Sequence, residues 1–245
     1  MERFSGTVAV VTGSSAGIGV AISKELLKRG LIVAGLARRE DKLKLLKEEL
    51  DKSGYKGKFH PIQCDITNEQ DIISAFEKIK TIGKLSILVN NAGVLQVERV
   101  HEISSSAFDS VFDTNVKGLV FCAQQAIKIM KENSIRGHIV NVCSIAGTPS
   151  WVPKLQLGIY SASKHAVKVI SDALRREMIL EKTKIKVTNL SPGLVETDMT
   201  EKYLPDDPDE YISAQDIANA CIAVLDTPPS VVISELTVLP INEIV

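Results

Sequence analysis

Short apolar runs alternate with helical patterns along the chain, and this alternation limits its fold more than any other feature. The runs lie at residues 8–11, 31–35, 58–63, 86–90, 138–143, 185–190 and 231–234. Each run is long enough for a buried strand, and the segments between them have the spacing of amphipathic helices. Such alternation predicts an open, doubly wound parallel sheet with helices on both faces. The 245 residues suit one α/β domain, residues 1–245, with about seven strands.

A glycine-rich turn follows the first apolar run. Gly13, Gly17 and Gly19 lie within residues 12–19, and an amphipathic helical pattern begins directly after them. Glycines let the backbone approach a pyrophosphate, and the N-terminus of the next helix offers free N–H groups and the positive end of the helix dipole. The strand, turn and helix together predict a dinucleotide-binding site. The alternative is a tight turn that binds no ligand.

Tyr160 and Lys164 form a second chemical signal. They are four residues apart in a helical pattern, which places both side chains on one helix face. A neighbouring ammonium group favours the phenolate form of a tyrosine and so prepares it for proton transfer. The pair therefore predicts a general acid/base, although by itself the spacing is more typical of a solvated helix face.

The order of these features along the chain resembles that of the short-chain dehydrogenases/reductases. The glycine spacing is Gly-x-x-x-Gly-x-Gly. Further matches are Asn90-Asn91-Ala92-Gly93 after a strand, Asn115 on a long helix, Ser144 after another strand, and Ser191-Pro192-Gly193 before Thr197. The resemblance extends from Val8 to about Val232. It implies a Rossmann-type fold and an oxidoreductase that transfers a hydride between a nicotinamide cofactor and an alcohol or carbonyl group.

The resemblance also implies roles for four catalytic residues. Tyr160 would be the general acid/base, and Ser144 would hydrogen-bond the same substrate oxygen. Lys164 would support Tyr160 and bind the nicotinamide ribose, and Asn115 would hold a water molecule in a proton path from Lys164. All four residues are present, which disfavours the alternative of a non-catalytic NADP-binding protein.

The cofactor that the resemblance implies is NADP (NADPH). Asp65 and Ile66 match the pair that contacts adenine, Asn90 matches an asparagine on the adenosine side, and Val195 and Thr197 match the segment that holds the nicotinamide amide. Simple strand-end caps are the alternative for Asp65 and Asn90. The expected cofactor-binding residues are Gly13, Ser15, Gly17, Ile18, Gly19, Arg38, Arg39, Asp65, Ile66, Asn90, Asn91, Tyr160, Lys164, Val195 and Thr197.

Two arginines bear on the choice of nicotinamide cofactor. In dinucleotide folds, an acidic residue at the end of the second strand holds the ribose 2′-hydroxyl of NAD, whereas an arginine there suits the 2′-phosphate of NADP. The second run ends at Arg38 and Arg39, and the first acidic residue after it is Glu40. We therefore expect NADP, with Arg38 as the first candidate and an exposed basic loop as the alternative. Ser15 departs from family members that have a second basic residue in the glycine turn, which leaves the size of the preference open.

Apolar residues near the predicted site favour a hydrophobic substrate, although ordinary core packing is an alternative for them. We expect a polar, proline-punctuated substrate lid at about residues 194–213, with an ordinary surface loop as the alternative. The long segment between Ser144 and Tyr160, with residues 1–4 and 237–240, resembles the branch of insect NADP-dependent farnesol dehydrogenases and related ketosteroid reductases. An isoprenoid alcohol such as farnesol is the first choice, and a ketosteroid or another carbonyl compound is the alternative. The expected pocket residues are Leu95, Val97, Trp151, Val152, Pro153, Leu155, Leu157, Ile159, Met199, Tyr203 and Leu204.

Composition argues against several other classes of function. The formal net charge is −1, so there is no electrostatic basis for binding nucleic acid. The four cysteines lack metal-ligand spacing, and we expect no metal site. No apolar run approaches the roughly 20 residues that span a bilayer. The first strand also begins too early to leave room for a targeting peptide, and we expect a cytoplasmic protein.

The helical pattern at residues 161–179 is apolar over more of its circumference than one contact with a sheet requires. In the family that the chain resembles, this helix and the one bearing Asn115 pair across a two-fold axis. We therefore expect a homodimer or homotetramer, with burial inside one subunit as the alternative. The apolar residues of this helix are Ala166, Val167, Val169, Ile170, Ala173 and Leu174.

Overall fold

A computed structural model of the chain describes residues 1–148 and 155–243. The strands are β1 (Val8–Thr12), β2 (Ile32–Ala37), β3 (Phe59–Gln63), β4 (Leu85–Asn90), β5 (His138–Val142), β6 (Lys186–Pro192), β7 (Val195–Glu196), β8 (Ile212–Ser213) and β9 (Glu235–Val238). The α-helices are α1 (Gly17–Lys28), α2 (Glu40–Lys52), α3 (Glu69–Ile82), α4 (Ser105–Phe112), α5 (Leu119–Glu132), α6 (Gly158–Leu180) and α7 (Ala214–Leu225). Seven strands form one parallel sheet in the order β3–β2–β1–β4–β5–β6–β9, which confirms the predicted doubly wound fold.

Helices bury the sheet on both faces. All residues of β1 are buried: Ala9 and Val11 pack in the cluster formed with α1, α2 and α7, whereas Val8 and Val10 pack in the cluster formed with α3 and α5. A strand covered on both faces has no solvent-facing positions, and this explains why the sequence is apolar at every residue from 8 to 11. Within the described ranges, no helix combines the length and the apolar character that crossing a membrane would require.

Three asparagines lie side by side across the centre of the sheet: Asn90 in β4, Asn141 in β5 and Asn189 in β6. We call them the asparagine row. Asn90 Nδ2 donates to Asn141 Oδ1 (2.9 Å) and to the carbonyl oxygen of Leu119 at the start of α5 (3.3 Å). Asn141 Nδ2 donates to Ser171 Oγ on α6 (2.9 Å). These buried hydrogen bonds tie α5 and α6 to the middle strands.

The helical segment between β4 and β5 changes its winding. A π-helical turn, Asp113–Gly118, connects α4 to α5. The sequence predicts one long helix around Asn115, and the structure places this residue inside the π-helical turn. The turn packs closely on the segment after β3, since a Cβ atom at Gly118 would lie 2.6 Å from the carbonyl oxygen of Ile66. Turns of this kind are frequent at functional sites.

The last strand of the sheet lies four residues beyond its predicted position. The sequence predicts a strand at residues 231–234, whereas β9 covers Glu235–Val238. Lys186 explains the difference, because its Nζ donates to the carbonyl oxygens of Pro228 (2.6 Å) and Val231. These bonds hold the segment in a turn around the ammonium group. The strand propensity of the apolar residues is thereby overridden, and the prediction is wrong at this point.

Between β6 and α7 the chain makes an excursion at residues 194–213, which we call the lid segment. It contains two 3-10 turns, Glu201–Tyr203 and Pro208–Glu210. Its first and last residues include β7 and β8, which pair in parallel as a separate two-stranded sheet. The lid segment thus leaves and returns at neighbouring points beside the carboxyl end of β6.

Candidate active site

A cleft of about 770 Å³ lies where β1, β2, β4, β5 and β6 reach their carboxyl ends. This is the edge at which open α/β sheets bind ligands. Most of the predicted site residues line the cleft: Gly13, Ser15, Gly17, Ile18, Arg38, Arg39, Asp65, Ile66, Asn91, Ser144, Tyr160, Lys164, Val195 and Thr197. Three predicted residues, Gly19, Asn90 and Asn115, are not part of its lining.

The glycine turn is held against the end of β4. Thr12 Oγ1 accepts hydrogen bonds from the backbone N–H groups of Asn91 and Ala92, each at 3.0 Å. Gly13 has φ +67°, and a Cβ atom there would lie 2.8 Å from the Ala92 Cα atom. A Cβ atom at Gly19 would collide with the Gly13 carbonyl oxygen. Gly19 therefore acts behind the cleft wall, where it allows the turn to fold tightly.

Helix α1 begins beneath this turn with its N–H groups uncapped. Its N-cap residue, Ala16, makes no side-chain hydrogen bond, and the first turn contains no acidic residue. A helix N-terminus with free donors and the positive end of the dipole favours an anion. The residues present therefore fit the pyrophosphate of a dinucleotide.

Two arginines border the cleft at the end of β2. Arg39 Nη2 donates to Ser15 Oγ at 3.1 Å, which brings this guanidinium over the glycine turn. Arg38 has an exposed side chain and also lines the cleft. The two positive charges lie beside the anion site of α1, where guanidinium groups could pair with an additional phosphate.

The residues expected at the adenine end have distinct positions. Asp65 lines the cleft, and its Oδ1 accepts hydrogen bonds from the N–H (3.0 Å) and Oγ1 (2.9 Å) of Thr67, so this carboxylate also caps the turn after β3. Ile66 is buried beside it and lines the cleft. Asn90 belongs to the asparagine row and serves the sheet, whereas Asn91 next to it lines the cleft.

The predicted catalytic pair lies at the start of α6. The helix begins at Gly158, so Tyr160 and Lys164 are both inside it. Lys164 is only 5% exposed, and its Nζ donates to the carbonyl oxygen of Val142 at 3.0 Å. The same ammonium nitrogen lies 5.6 Å from the centre of the Tyr160 ring. The buried positive charge of Lys164 therefore lies beside the Tyr160 phenol within the cleft.

Ser144 stands at the end of β5 and faces the same cleft. Its Oγ accepts a hydrogen bond from the Ala146 N–H at 3.1 Å, which leaves the hydroxyl proton free to be donated elsewhere. The preceding residue ties this strand to the catalytic helix, because Cys143 Sγ donates to the Lys164 carbonyl oxygen at 3.2 Å. Ser144 and Lys164 are therefore held on one rigid unit.

Asn115 supports the site from behind. Its Oδ1 accepts from the Val94 N–H (2.8 Å), and its Nδ2 donates to the Val94 carbonyl oxygen (3.0 Å) and to Ser163 Oγ (3.0 Å). Ser163 Oγ in turn donates to the Tyr160 carbonyl oxygen at 2.6 Å. Ser163 was not a predicted site residue. Ser163 follows Tyr160 by three residues, which places both on one side of α6. This spacing is the sequence signal that could have identified Ser163.

The segment after β6 closes over the glycine turn. A Cβ atom at Gly17 would lie 3.0 Å from Thr197 Cγ2. Thr200 organises this segment, since its Oγ1 bonds to the Val195 carbonyl oxygen, accepts from the Thr197 N–H (3.1 Å) and lies 3.0 Å from Thr197 Oγ1. Sequence reasoning missed Thr200, because nothing in the local pattern distinguishes it from other lid residues.

The far end of the cleft is mainly apolar. Leu95, Leu155, Leu157, Met199 and Tyr203 line it as predicted, while Val97, Ile159 and Leu204 are not part of its lining. The predicted pocket residues Trp151, Val152 and Pro153 lie outside the described residues. Polar residues that the sequence did not indicate also line the cleft, among them Glu210, Asn242 and Glu243.

The cysteines form no disulfide among the described residues. All four are free and buried. Burial raises the pKa of the Cys64 and Cys221 thiols to about 12, which keeps them protonated at neutral pH. Across residues 1–148 and 155–243, no group of three His, Cys, Asp or Glu residues is placed to hold a metal ion.

Known proteins resemble this chain in both sequence and structure. A family model described as "short chain dehydrogenase" matches residues 7–208. Farnesol dehydrogenase of Aedes aegypti is 42% identical over 246 residues, covering 99% of this chain and 99% of that protein. Dehydrogenase/reductase SDR family member 11 of Gallus gallus is 38% identical over 255 residues, covering 100% of each. The closed form of serine dehydrogenase complexed with NADP+ matches with TM-score 0.86 at 30% identity, covering 97% of this chain and 96% of that one.

Proposed function

The chain belongs to the short-chain dehydrogenase/reductase family, and we propose that it transfers a hydride between NADP(H) and the alcohol or carbonyl group of a hydrophobic substrate. As a member of the family it is an oxidoreductase that acts on CH–OH groups with a nicotinamide dinucleotide. Our first choice of substrate is an isoprenoid alcohol such as farnesol.

The observation that carries this proposal is the convergence of three groups on one cleft. The buried Lys164 ammonium beside Tyr160, the Ser144 hydroxyl and the uncapped N-terminus of α1 all meet there. A proton-transfer group and an anion site at opposite ends of one cavity suit a substrate and a dinucleotide that must meet between them.

The chemistry of the protein is then proton transfer and positioning. When bound, the nicotinamide ring supplies or accepts the hydride. The Tyr160 phenolate takes the proton from the alcohol oxygen during oxidation, and the Tyr160 hydroxyl gives a proton to the carbonyl oxygen during reduction. Ser144 donates a hydrogen bond to the same oxygen and fixes its position. Lys164 stabilises the phenolate. Asn115 hydrogen-bonds the Val94 backbone and Ser163, and so holds the segment after β4 against α6.

We assign NADP rather than NAD because of the two guanidinium groups at the end of β2. Arg38 lines the cleft with an exposed side chain, and Arg39 is held over the glycine turn by Ser15. Neither position offers a carboxylate to a ribose 2′-hydroxyl, and both charges favour a 2′-phosphate. The structure of serine dehydrogenase complexed with NADP+ is a similar fold, which supports the assignment.

An apolar substrate follows from the wall opposite the glycine turn. Leu95, Leu155, Leu157 and Met199 offer hydrocarbon contacts there, and such walls bind apolar ligands. The 42% identity with a farnesol dehydrogenase favours an isoprenoid alcohol. A ketosteroid or another carbonyl compound is the alternative, because the same wall would accept it.

We also propose that the protein works as a homodimer or homotetramer in the cytoplasm. Helix α6 has an exposed apolar stripe that includes Ala162, Val169 and Ala173. A helix that presents such a stripe beyond its own core suits pairing with a second copy. The four free, buried thiols suit a reducing compartment.

A panel of substrates tests the proposal. Farnesol, geraniol, a steroid ketone and a small carbonyl compound would each be assayed with both cofactors by following NADPH or NADH absorbance. We expect the highest kcat/KM for the isoprenoid alcohols with NADP. A higher kcat/KM for the steroid ketone would move the assignment to the alternative, and no turnover with any member would refute the proposal.

A further inference from the structure

Residues beyond the last strand reach back into the cleft. After β9, residues 240–243 form a turn closed by a hydrogen bond from the Glu243 N–H to the Pro240 carbonyl oxygen (3.2 Å). We call residues 240–243 the β9 extension. Its last two residues, Asn242 and Glu243, both line the cleft. The predicted site does not include them, and no step in the chemistry above uses them.

The Glu243 carboxylate binds the base of the lid segment. Its Oε2 accepts a hydrogen bond from the Leu194 N–H at 3.0 Å, where the lid segment leaves β6. The Leu194 carbonyl oxygen accepts from the Ile212 N–H at 2.9 Å, where the lid segment returns. Leu194 therefore connects the β9 extension to both ends of the lid segment.

Gly193 leaves the space that the Glu243 carboxylate occupies. A Cβ atom at Gly193 would lie 2.5 Å from Glu243 Oε2 and 2.7 Å from Pro240 Cδ. The Gly193 N–H donates to the Val238 carbonyl oxygen at 2.8 Å, which extends the β6–β9 ladder by one bond. The backbone therefore accommodates the β9 extension only because no side chain stands at this position.

A second contact reaches the outer part of the lid segment. The Asn242 N–H donates to the Asp209 carbonyl oxygen at 3.2 Å, and Asn242 Nδ2 lies 3.5 Å from Asp207 Oδ2. Asp209 lies within the 3-10 turn Pro208–Glu210, and Asp207 is its N-cap residue. The β9 extension thus holds the lid segment at its base and again near its tip.

We propose that the β9 extension is a latch for the lid segment and that Glu243 is its positioning residue. The hydrogen bond at Leu194 fixes the peptide that leads directly into Val195 and Thr197. Glu243 therefore acts on the cofactor and the substrate through the backbone rather than by touching the reacting atoms. The catalytic part of this inference rests on the proposed function, whereas the contact between latch and lid does not.

Limited proteolysis without cofactor tests the latch directly. Lys202 lies in the lid segment and gives trypsin a site there, so the products 1–202 and 203–245 report its opening. Cleavage of a transiently opened segment follows the population of the open form. Removing one hydrogen bond with Glu243→Ala should therefore raise cleavage at Lys202 by about two- to tenfold. Glu243→Gln keeps an acceptor oxygen and should stay near the wild-type rate.

Two controls show whether a change in cleavage at Lys202 is caused by the latch. Asp206→Ala removes an exposed carboxylate from the same lid segment, four residues away from Lys202, without touching the latch, and it should leave cleavage at Lys202 unchanged. Cleavage after Lys56 and Lys58, in the exposed loop between α2 and β3, should be equal in all variants, because it reports protease activity at a site away from the latch. Equal cleavage at Lys202 in wild type and Glu243→Ala would overturn the latch.

Steady-state kinetics then test the effect on the site. Glu243→Ala should raise KM for NADP and for the alcohol by about two- to tenfold with kcat changed by less, and Glu243→Gln should restore the wild-type values. An equal loss in Glu243→Gln would overturn the hydrogen bond as the cause. If the wild type turned over no substrate in the panel, the proposed function would fail, and the proteolysis would still decide the latch.

Discussion

At the scale of single residues, Lys164 is a buried charge that lines the cleft. Its ammonium group is almost fully buried, and one N–H donates to the neutral Val142 carbonyl oxygen. Burying a charge is costly unless it is paired, and one carbonyl group compensates only part of that cost. The phenol of Tyr160 is the group beside this charge in the cleft. The proposed role in proton transfer would account for the cost of burying the ammonium.

Substitution of the phenol isolates its role. Tyr160→Phe removes the hydroxyl and keeps the ring, so NADP binding should remain within about twofold while kcat falls by at least 10²-fold, the lower end of what general acid/base catalysis contributes. Tyr55→Phe is a matched control, because Tyr55 also lies near a lysine ammonium, Lys28 at 5.8 Å, but away from the cleft. The kcat and the affinity for NADP would be measured for both variants and for the wild type. Comparable kcat in Tyr160→Phe and wild type would refute the mechanism.

Charge reversal at the end of β2 tests the cofactor assignment. Charge-assisted hydrogen bonds contribute about 1.5–3 kcal/mol, so Arg38→Asp should weaken NADPH binding by roughly tenfold or more and leave NADH nearly unaffected. Lys52→Asp makes the same change of charge at the far end of α2 and should alter neither affinity. Calorimetric titration with both cofactors measures the difference. Equal affinity of the wild type for NADPH and NADH would contradict the assignment.

At the scale of elements, the catalytic helix is positioned by buried polar contacts rather than by apolar packing alone. The asparagine row holds α6 through Ser171, and the π-helical turn holds it through Asn115 and Ser163. Both contacts are hydrogen bonds with fixed geometry. The start of α6, and Tyr160 with it, is therefore placed more narrowly than an apolar interface would allow.

The asparagine row should make a measurable contribution to stability. Asn141→Ala removes the partner of Asn90 Nδ2 and of Ser171 Oγ and leaves both groups buried, which should lower the free energy of unfolding by about 1–3 kcal/mol. Asn219→Ala, on the exposed face of α7, should change it by less than about 0.5 kcal/mol. Urea unfolding followed by circular dichroism gives both values. Equal midpoints for the two variants would show that the row is not needed for stability.

The sequence predicts elements well where one local pattern determines them. The buried strand β1, the glycine turn and the Tyr160–Lys164 pair all follow from residues close together in the chain. Predictions were wrong or incomplete where a distant residue decides the local structure. Lys186 displaces β9 from residues 231–234, and Glu243 enters the cleft through a contact with Leu194 that spans 49 residues. No pattern within residues 240–243 contains that information.

At the scale of the whole molecule, one side of the subunit is left apolar. Val169 on α6 is 68% exposed, and Ala162 and Ala173 on the same stripe are exposed as well. Phe108 on α4, which packs against α6, is partly exposed and stacks on Phe112 at 4.7 Å. Exposed apolar side chains on two packed helices are typical of a surface that pairs with a second copy.

Light scattering at micromolar concentration tests the assembly. We expect a mass of two or four chains for the wild type. Val169→Asp places a charge in the expected interface and should shift the mass towards one chain, because a buried unpaired charge is strongly unfavourable there. Leu45→Asp, at a position 64% exposed on α2, should leave the mass unchanged. A wild-type mass near one chain would rule out the oligomer.

The π-helical turn between α4 and α5 has a consequence for changes in chain length. A π-helical turn holds about one residue more than an α-helical turn, and each residue of a helix is offset from the next by roughly 100°. Deleting one residue from Asp113–Gly118 would restore regular winding with little rotation of α4 relative to α5, but it would remove the local widening that places Asn115 against Ser163. We therefore expect that this π-helical turn does not tolerate the deletion of a single residue, whereas the loop at residues 53–58 does. Sequences that diverge from this one should vary in the length of the loops around the sheet and should keep the number of residues in the π-helical turn.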